Sequence, residues 1–341
     1  MKTPGSMKYF ATVLLALMLA SCANPPRPVA PAAPAIAWPP APAEARIVYV
    51  RELRGPRDIG QSPSIWHNMG HWLTGDRAET PGLRKPFAVA LDETGNLCIT
   101  DTDARAAFYC DFARKRWQRF DGAGKIKFSS PVGIARRHGI FYVADSELGK
   151  VLAFGDDGKL RFEIATTLQR PVGLAIAGES LVVVDAAAHA VLVFGLDGKF
   201  QFRFGKRGTG PGEFNFPTCV AADNRGHLLV SDTLNSRVQV FDLAGKYVSQ
   251  FGSNGDTSGH FARPKGVTAD AAGNCYVVDA LFDNFQIFNP EGRLLLNVGE
   301  AGNRPGEFAL PHGIAMGADN KIYVADAFNH RVQIFQYLGQ P

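Results

Sequence analysis

A membrane-spanning run is missing from this chain. The uncharged apolar stretch Tyr9 to Ala20 holds twelve residues, too few to cross ~30 Å of hydrocarbon as a permanent helix. A strong charge of one sign is also missing. The 36 Lys and Arg residues face 32 Asp and Glu, a net +4, and loss of Lys2 and Lys8 with a leader would lower that by two. This balance implies no strongly electrostatic partner and argues against nucleic acid. Cysteine is sparse, with five in 341 residues, and the eight histidines are scattered along the chain.

What the chain does have is a phrase repeated six times. A proline opens a short apolar strand at Pro86, Pro131, Pro171, Pro217, Pro264 and Pro311. A second strand then closes on Asp101, Asp145, Asp185, Asp232, Asp279 or Asp326, and a third ends about nine residues later. Successive aspartates are 44, 40, 47, 47 and 47 residues apart. A period of ~40–50 residues with several strands per period marks a propeller blade. The expected fold is therefore all-β, a six-bladed β-propeller over 46–341. Such a ring is a platform for many functions and names none of them.

The third position of each repeat is small: Ala88, Gly133, Gly173, Cys219, Gly266 and Gly313. This suits innermost strands crowding around an axis. Only six residues follow Phe335, which leaves blade six short of an outer strand. Arg46 to Leu53 reads as a strand without a blade, and pairing the two would close the ring and hide a sheet edge. The motif Asn329-His330-Arg331, its variant Asn235-Ser236-Arg237, and the connectors Gly208 to Phe214 and Gly302 to Phe308 resemble the NHL-repeat family of β-propellers. The likeness covers roughly 46–337 and weakens in blades one to three.

The first residues bear on location. Lys2 and Lys8 precede the apolar stretch, which ends Leu19-Ala20-Ser21-Cys22. Its length and flanks read as a signal peptide, and the ending resembles the lipobox of bacterial lipoproteins. That resemblance implies cleavage after residue 21, lipid on Cys22 and a place in the bacterial cell envelope, on the periplasmic face or cell surface. Residues 23–45 are almost wholly Pro and Ala around Trp38, which reads as a semi-stiff tether.

Candidate site residues follow from the expected ring. The six aspartates suit turn amides better than a metal or acid–base site. The residues after each proline, Phe87, Val132, Val172, Thr218, Lys265 and His312, should face the channel mouth. A zinc needs three or four converging ligands, and only His312 qualifies there. Propeller lyases acting on peptidyl-hydroxyglycine resemble this fold and gather several histidines around zinc. No metal or other cofactor is expected here. Arg84, Lys85, Arg105, Lys150, Arg170, Arg237, Arg263, Lys265 and Arg331 could make one rim basic.

The long insertion Gln61 to Leu73 carries Trp66, His67, His71 and Trp72. Loops of this length are uncommon unless functional, and binding a partner or plugging the channel are both compatible with it. The candidate ligand-binding set is Trp66, His67, His71, Trp72, Arg263, Lys265, His312, His330 and Arg331. Cys98 and Cys110 form a candidate disulfide: a five-residue turn would set them face to face, and a four-residue turn would not. Cys219 and Cys275 read as buried thiols. The expected function is a non-enzymatic binding or scaffold module for a protein, peptide or glycan, tied to the membrane by its lipid. The alternative is a lyase or hydrolase at the channel mouth.

Overall fold

The computed structural model of the protein describes residues 36–61, 82–165 and 168–339. Within them the chain forms five four-stranded antiparallel sheets and one five-stranded sheet, each a blade. Blade one is Pro86–Leu91, Leu97–Asp101, Ala106–Asp111 and Arg116–Phe120. The innermost strands of the others start at Pro131, Pro171, Pro217, Pro264 and Pro311. In all six, the opening proline pairs with the closing aspartate of the second strand, from Pro86↔Asp101 to Pro311↔Asp326. Proline has no N–H to donate, so the first position of a strand is where it costs least.

The core lies between blades rather than inside any one of them. Six apolar clusters occupy the six interfaces. One joins Leu174 and Leu181 of blade three to Tyr142 and Ala153 of blade two, and another joins Ile99 and Phe108 of blade one to Ile334 of blade six. Small residues on the inner strands let the blades approach. A Cβ on Gly133 would lie 2.6 Å from the Val172 carbonyl oxygen, and one on Gly266 would lie 2.5 Å from that of His312. Backbone fills the space that a side chain would need.

The ring closes as expected. Ile47–Leu53 pairs with Arg331–Tyr337 and completes blade six. Arg331 carries the joint: its Nη1 donates to Glu52 2.7 Å away, its Nε donates to Asp326 at 2.8 Å, and its Nη2 donates to the carbonyls of Arg304 and Glu307. In blade four the matching Arg237 gives its Nη1 to Gln250 of its own outer strand. Glu52, brought from the other end of the chain, takes the corresponding place in blade six.

Two expectations need correction. The end of the Pro/Ala segment is not tether. Ala37–Trp38 adds a fifth strand beside Ile47–Val48, and the Trp38 ring meets Phe335 edge-on at 5.7 Å. The indole supplies a large apolar surface in a segment otherwise almost wholly Pro and Ala. The second correction concerns Cys98 and Cys110. Asp101 pairs with Ala106, so the turn has four residues, and Cys98 faces Tyr109 while Cys110 faces Leu97. Both thiols are free. They point to opposite sides of the sheet, into the blade one–two core and the blade six–one core respectively.

Candidate binding site at the channel mouth

The aspartates at the ends of the second strands build the rim. All six are fully buried. Asp101 accepts from the amides of Arg84 at 2.6 Å and Lys85 at 2.9 Å, in the connector, and from Ala104 at 2.8 Å, in the following turn. Asp185 does the same with Gln169, Arg170 and Ala188. The turn amide was expected, whereas the connector amides were not. Each carboxylate thereby pins two loops and fixes where the next inner strand begins. In blades four and six it accepts one connector amide, from Asn215 or Ala309, and in place of a turn amide the Asn, Arg and Gln side chains of the motif: Asn235, Arg237 and Gln239 on Asp232, and Asn329, Arg331 and Gln333 on Asp326. None of the six aspartates lines the channel.

The channel is an open cavity of about 960 Å³, and all six residues that follow the prolines line it. Phe87 stacks on His312 with centroids 4.2 Å apart and planes inclined by 24°. Burial drives the His312 pKa down to about 3, helped by the nearby charges of Lys265, Lys85 and Arg263, so the ring is neutral at physiological pH. Its Nδ1 is buried and has no hydrogen-bond partner among the described residues. Burial, reinforced by Arg263 and Arg170, lowers Lys265 to about 8. The hydroxyls beside them are engaged: Thr218 and Thr233 share a 2.6 Å hydrogen bond, and Thr233 also donates to the Pro264 carbonyl.

The two ends of the channel differ in their charge pairing. At the far end, where the inner strands finish, Arg136 contacts Asp92 at 2.6 Å and Asp156 at 3.0 Å, and Arg137 lies 3.6 Å from Glu93. At the mouth, Arg170, Arg263 and Lys265 have no carboxylate partner among the described residues, and Lys85 rests over the Phe328 ring at 4.9 Å. The acidic residues lining the channel, Asp92 and Glu93, belong to the far end. An apolar collar shares the lining with the cations. Leu234 and Phe328 sit two residues after their aspartates, about half exposed at 50% and 51%, and Phe216 joins them on the lining. Sequence reading passed over Leu234 and Phe328. The available signal was a large apolar residue at a turn position that ordinarily favours polar ones.

The sequence-derived set separates accordingly. Arg263, Lys265 and His312 converge on the mouth. Arg331 does not: it is 1% exposed with its donors spent on the ring closure, which removes it from the ligand-binding set. His330 is exposed, adopts a left-handed backbone at the end of the Ala327–Asn329 turn, and bonds the Arg84 carbonyl at the blade six–one seam, off the cavity lining. Trp66, His67, His71, Trp72 and Cys22 lie outside the described residues. Among the described residues no three His, Cys, Asp or Glu side chains are grouped to hold a metal ion.

Comparison with known proteins places this geometry in a fold. The family model described as "NHL repeat" matches residues 214–241 and 308–335, the connector through third strand of blades four and six. A second model, described as "6-bladed beta-propeller", matches residues 165–226. No curated protein matches the sequence. Among solved structures, virginiamycin B lyase from Staphylococcus aureus is similar at 16% identity and TM-score 0.56, over 74% of this chain and 80% of that one. An auxiliary nutrient binding protein from Bacteroides thetaiotaomicron is similar at 11% identity and TM-score 0.60, over 76% and 70%. Hydrazine synthase from Kuenenia stuttgartiensis is similar at 13% identity and TM-score 0.56, over 78% and 99%. At these identities the likeness is one of fold, and the chain is a six-bladed β-propeller carrying NHL repeats.

Proposed function

We propose that the protein is a non-enzymatic binding module whose channel mouth receives a protein, peptide or glycan. We propose further that lipid on Cys22 holds it in the bacterial cell envelope. The observation that supports binding is the mouth itself: cations without counter-charges and an apolar collar around an open cavity of about 960 Å³. Surfaces that combine large apolar side chains with cations suit recognition. The lyase or hydrolase alternative would draw on His312, whose Nδ1 is free. A general base works best with a pKa near the operating pH, and at about 3 His312 is a weak proton acceptor.

The test is retention of envelope components by the immobilised full chain, compared with a folded Leu234→Asp, Phe328→Asp double variant. Wild type is expected to retain a component that the double variant loses, and the component should elute with unchanged mass. Equal retention by the two proteins would remove the mouth as the site. A component that elutes cleaved would establish the enzymatic alternative.

A further inference from the structure

The charge distribution along the channel narrows the class of ligand, given that the mouth is the binding site. At the far end the arginines are neutralised by Asp92, Asp156 and Glu93. The same channel therefore accommodates paired charges. At the mouth, Arg170, Arg263 and Lys265 face the cavity with no carboxylate paired to any of them among the described residues. The Nδ1 of His312, beside them, is buried and unpartnered. Arg170 and Arg263 are exposed, whereas Lys265 is largely withdrawn from water, and holding a desolvated cation without a partner is costly. An unpartnered polar nitrogen adds to that cost. Both are relieved by a ligand that brings negative charge and hydrogen-bonding oxygens.

We propose that the mouth binds an anionic head group, carboxylate or phosphate, carried on an apolar body. The head sits between Lys265, Arg263 and Arg170, within reach of the His312 edge, and the body rests on Phe87, Phe216 and the exposed faces of Leu234 and Phe328. Oxygen acceptors suit the cations because ion-assisted hydrogen bonds are the stronger kind. The collar supplies apolar contact that a bare inorganic ion would leave unused.

The test is calorimetric titration of the full chain with 4-phenylbutyrate, phenyl phosphate, the neutral amide 4-phenylbutyramide, and acetate. At least one aromatic acid should bind, and acetate and the amide should each bind roughly tenfold or more weakly, since the amide loses the charge and acetate loses the body. The two acids distinguish a carboxylate from a phosphate head. Lys265→Met should weaken the acid by a similar factor, and Lys265→Arg should restore most of the affinity, a rescue that a purely structural lysine would not require to be cationic. Melting curves establish that both variants are folded. Acids that bind no tighter than the amide, or an affinity unchanged in Lys265→Met, would overturn the inference. If that happens while the Leu234→Asp, Phe328→Asp variant still loses its retained component, the mouth binds by other chemistry and only the anionic assignment falls. If that variant also retains the component, the binding-site reading falls with it.

Discussion

Lys265 and Arg331 show two ways for a propeller to hold a cation away from water. Arg331 is surrounded by acceptors, Asp326, Glu52 and two carbonyls, and removing one partner of such a buried set typically costs 3–5 kcal/mol. Lys265 is pressed by burial and faces Arg263 and Arg170 with His312 alongside, and Asp279 and the Cys219 thiol oppose that effect only in part. Its folded-state pKa of about 8 lies below the 10.5 of an unperturbed lysine. The folded protein therefore binds fewer protons than the unfolded chain between those values, and stability should rise with pH across that window. Lys265→Met should accordingly stabilise the ligand-free protein at pH 7, by about 1–3 kcal/mol. The gain should shrink as pH climbs from 8 and vanish above 10.5. Thermal melts of both proteins from pH 7 to 11 check this, and a melting difference independent of pH would show that the lysine charge is not the cause. Sequence placed Lys265 and His312 at the mouth because the position after each proline is fixed by local strand geometry. It could not separate the unpaired Lys265 from the fully paired Arg331, because pairing depends on residues far away in the chain, Glu52 among them.

Elements were more legible than individual contacts. Each blade announces itself through a proline and a closing aspartate that pair within one repeat, and through a small residue required by the adjoining blade. The closing strand was legible for a different reason: blade six lacked an outer strand and Arg46 to Leu53 lacked a blade. The docking of Ile36 to Ala45 was not legible, since its composition is that of a tether and its one bulky residue finds Phe335 about 300 residues away. Within this segment, Arg46 donates to the Trp38 carbonyl at 2.8 Å and Tyr49 to that of Ile36 at 2.9 Å. A chain beginning at Ile36 therefore serves as the reference for a truncation series. Beginning at Arg46 should lower stability modestly, and Trp38→Ala should reproduce most of that loss, about 1–3 kcal/mol for a half-buried indole. Beginning at Arg54 removes the outer strand, bares the edge of Arg331–Tyr337 and should cause aggregation. Light scattering and melting temperatures separate the three outcomes. A chain beginning at Arg54 that melts with the reference would disprove closure by this strand.

At the scale of the whole ring, the diameter of the mouth is set by residues that contribute no side chain to it. The carbonyls that crowd the inner-strand glycines belong to the residues lining the site: Val172 above Gly133, Thr218 beside Gly173, His312 above Gly266 and Phe87 above Gly313. Two of the six interfaces instead carry Ala88 and Cys219, so the ring tolerates a Cβ in some sectors and excludes it in others. The interface between blades six and one is the instructive case, because blade six is completed there by Ile47–Leu53 from the other end of the chain. A Cβ on Gly313 would stand 2.7 Å from the Phe87 oxygen and 2.9 Å from Ala88 Cα, both backbone. No rotamer change can relieve that contact, so blade one must shift away from blade six. The strain should cost about 1–3 kcal/mol, as overpacking of close-packed interiors does. The same shift should pull Phe87 off His312 and open the mouth where the stack now closes it. Gly313→Ala is thus expected to lower both the melting temperature and the affinity for an aromatic acid. Ala88→Gly, which removes a Cβ from a sector that already accommodates one, should change affinity much less. Loss of stability in Gly313→Ala with affinity intact would show that the mouth is shaped by its side chains alone and not by the spacing of the blades.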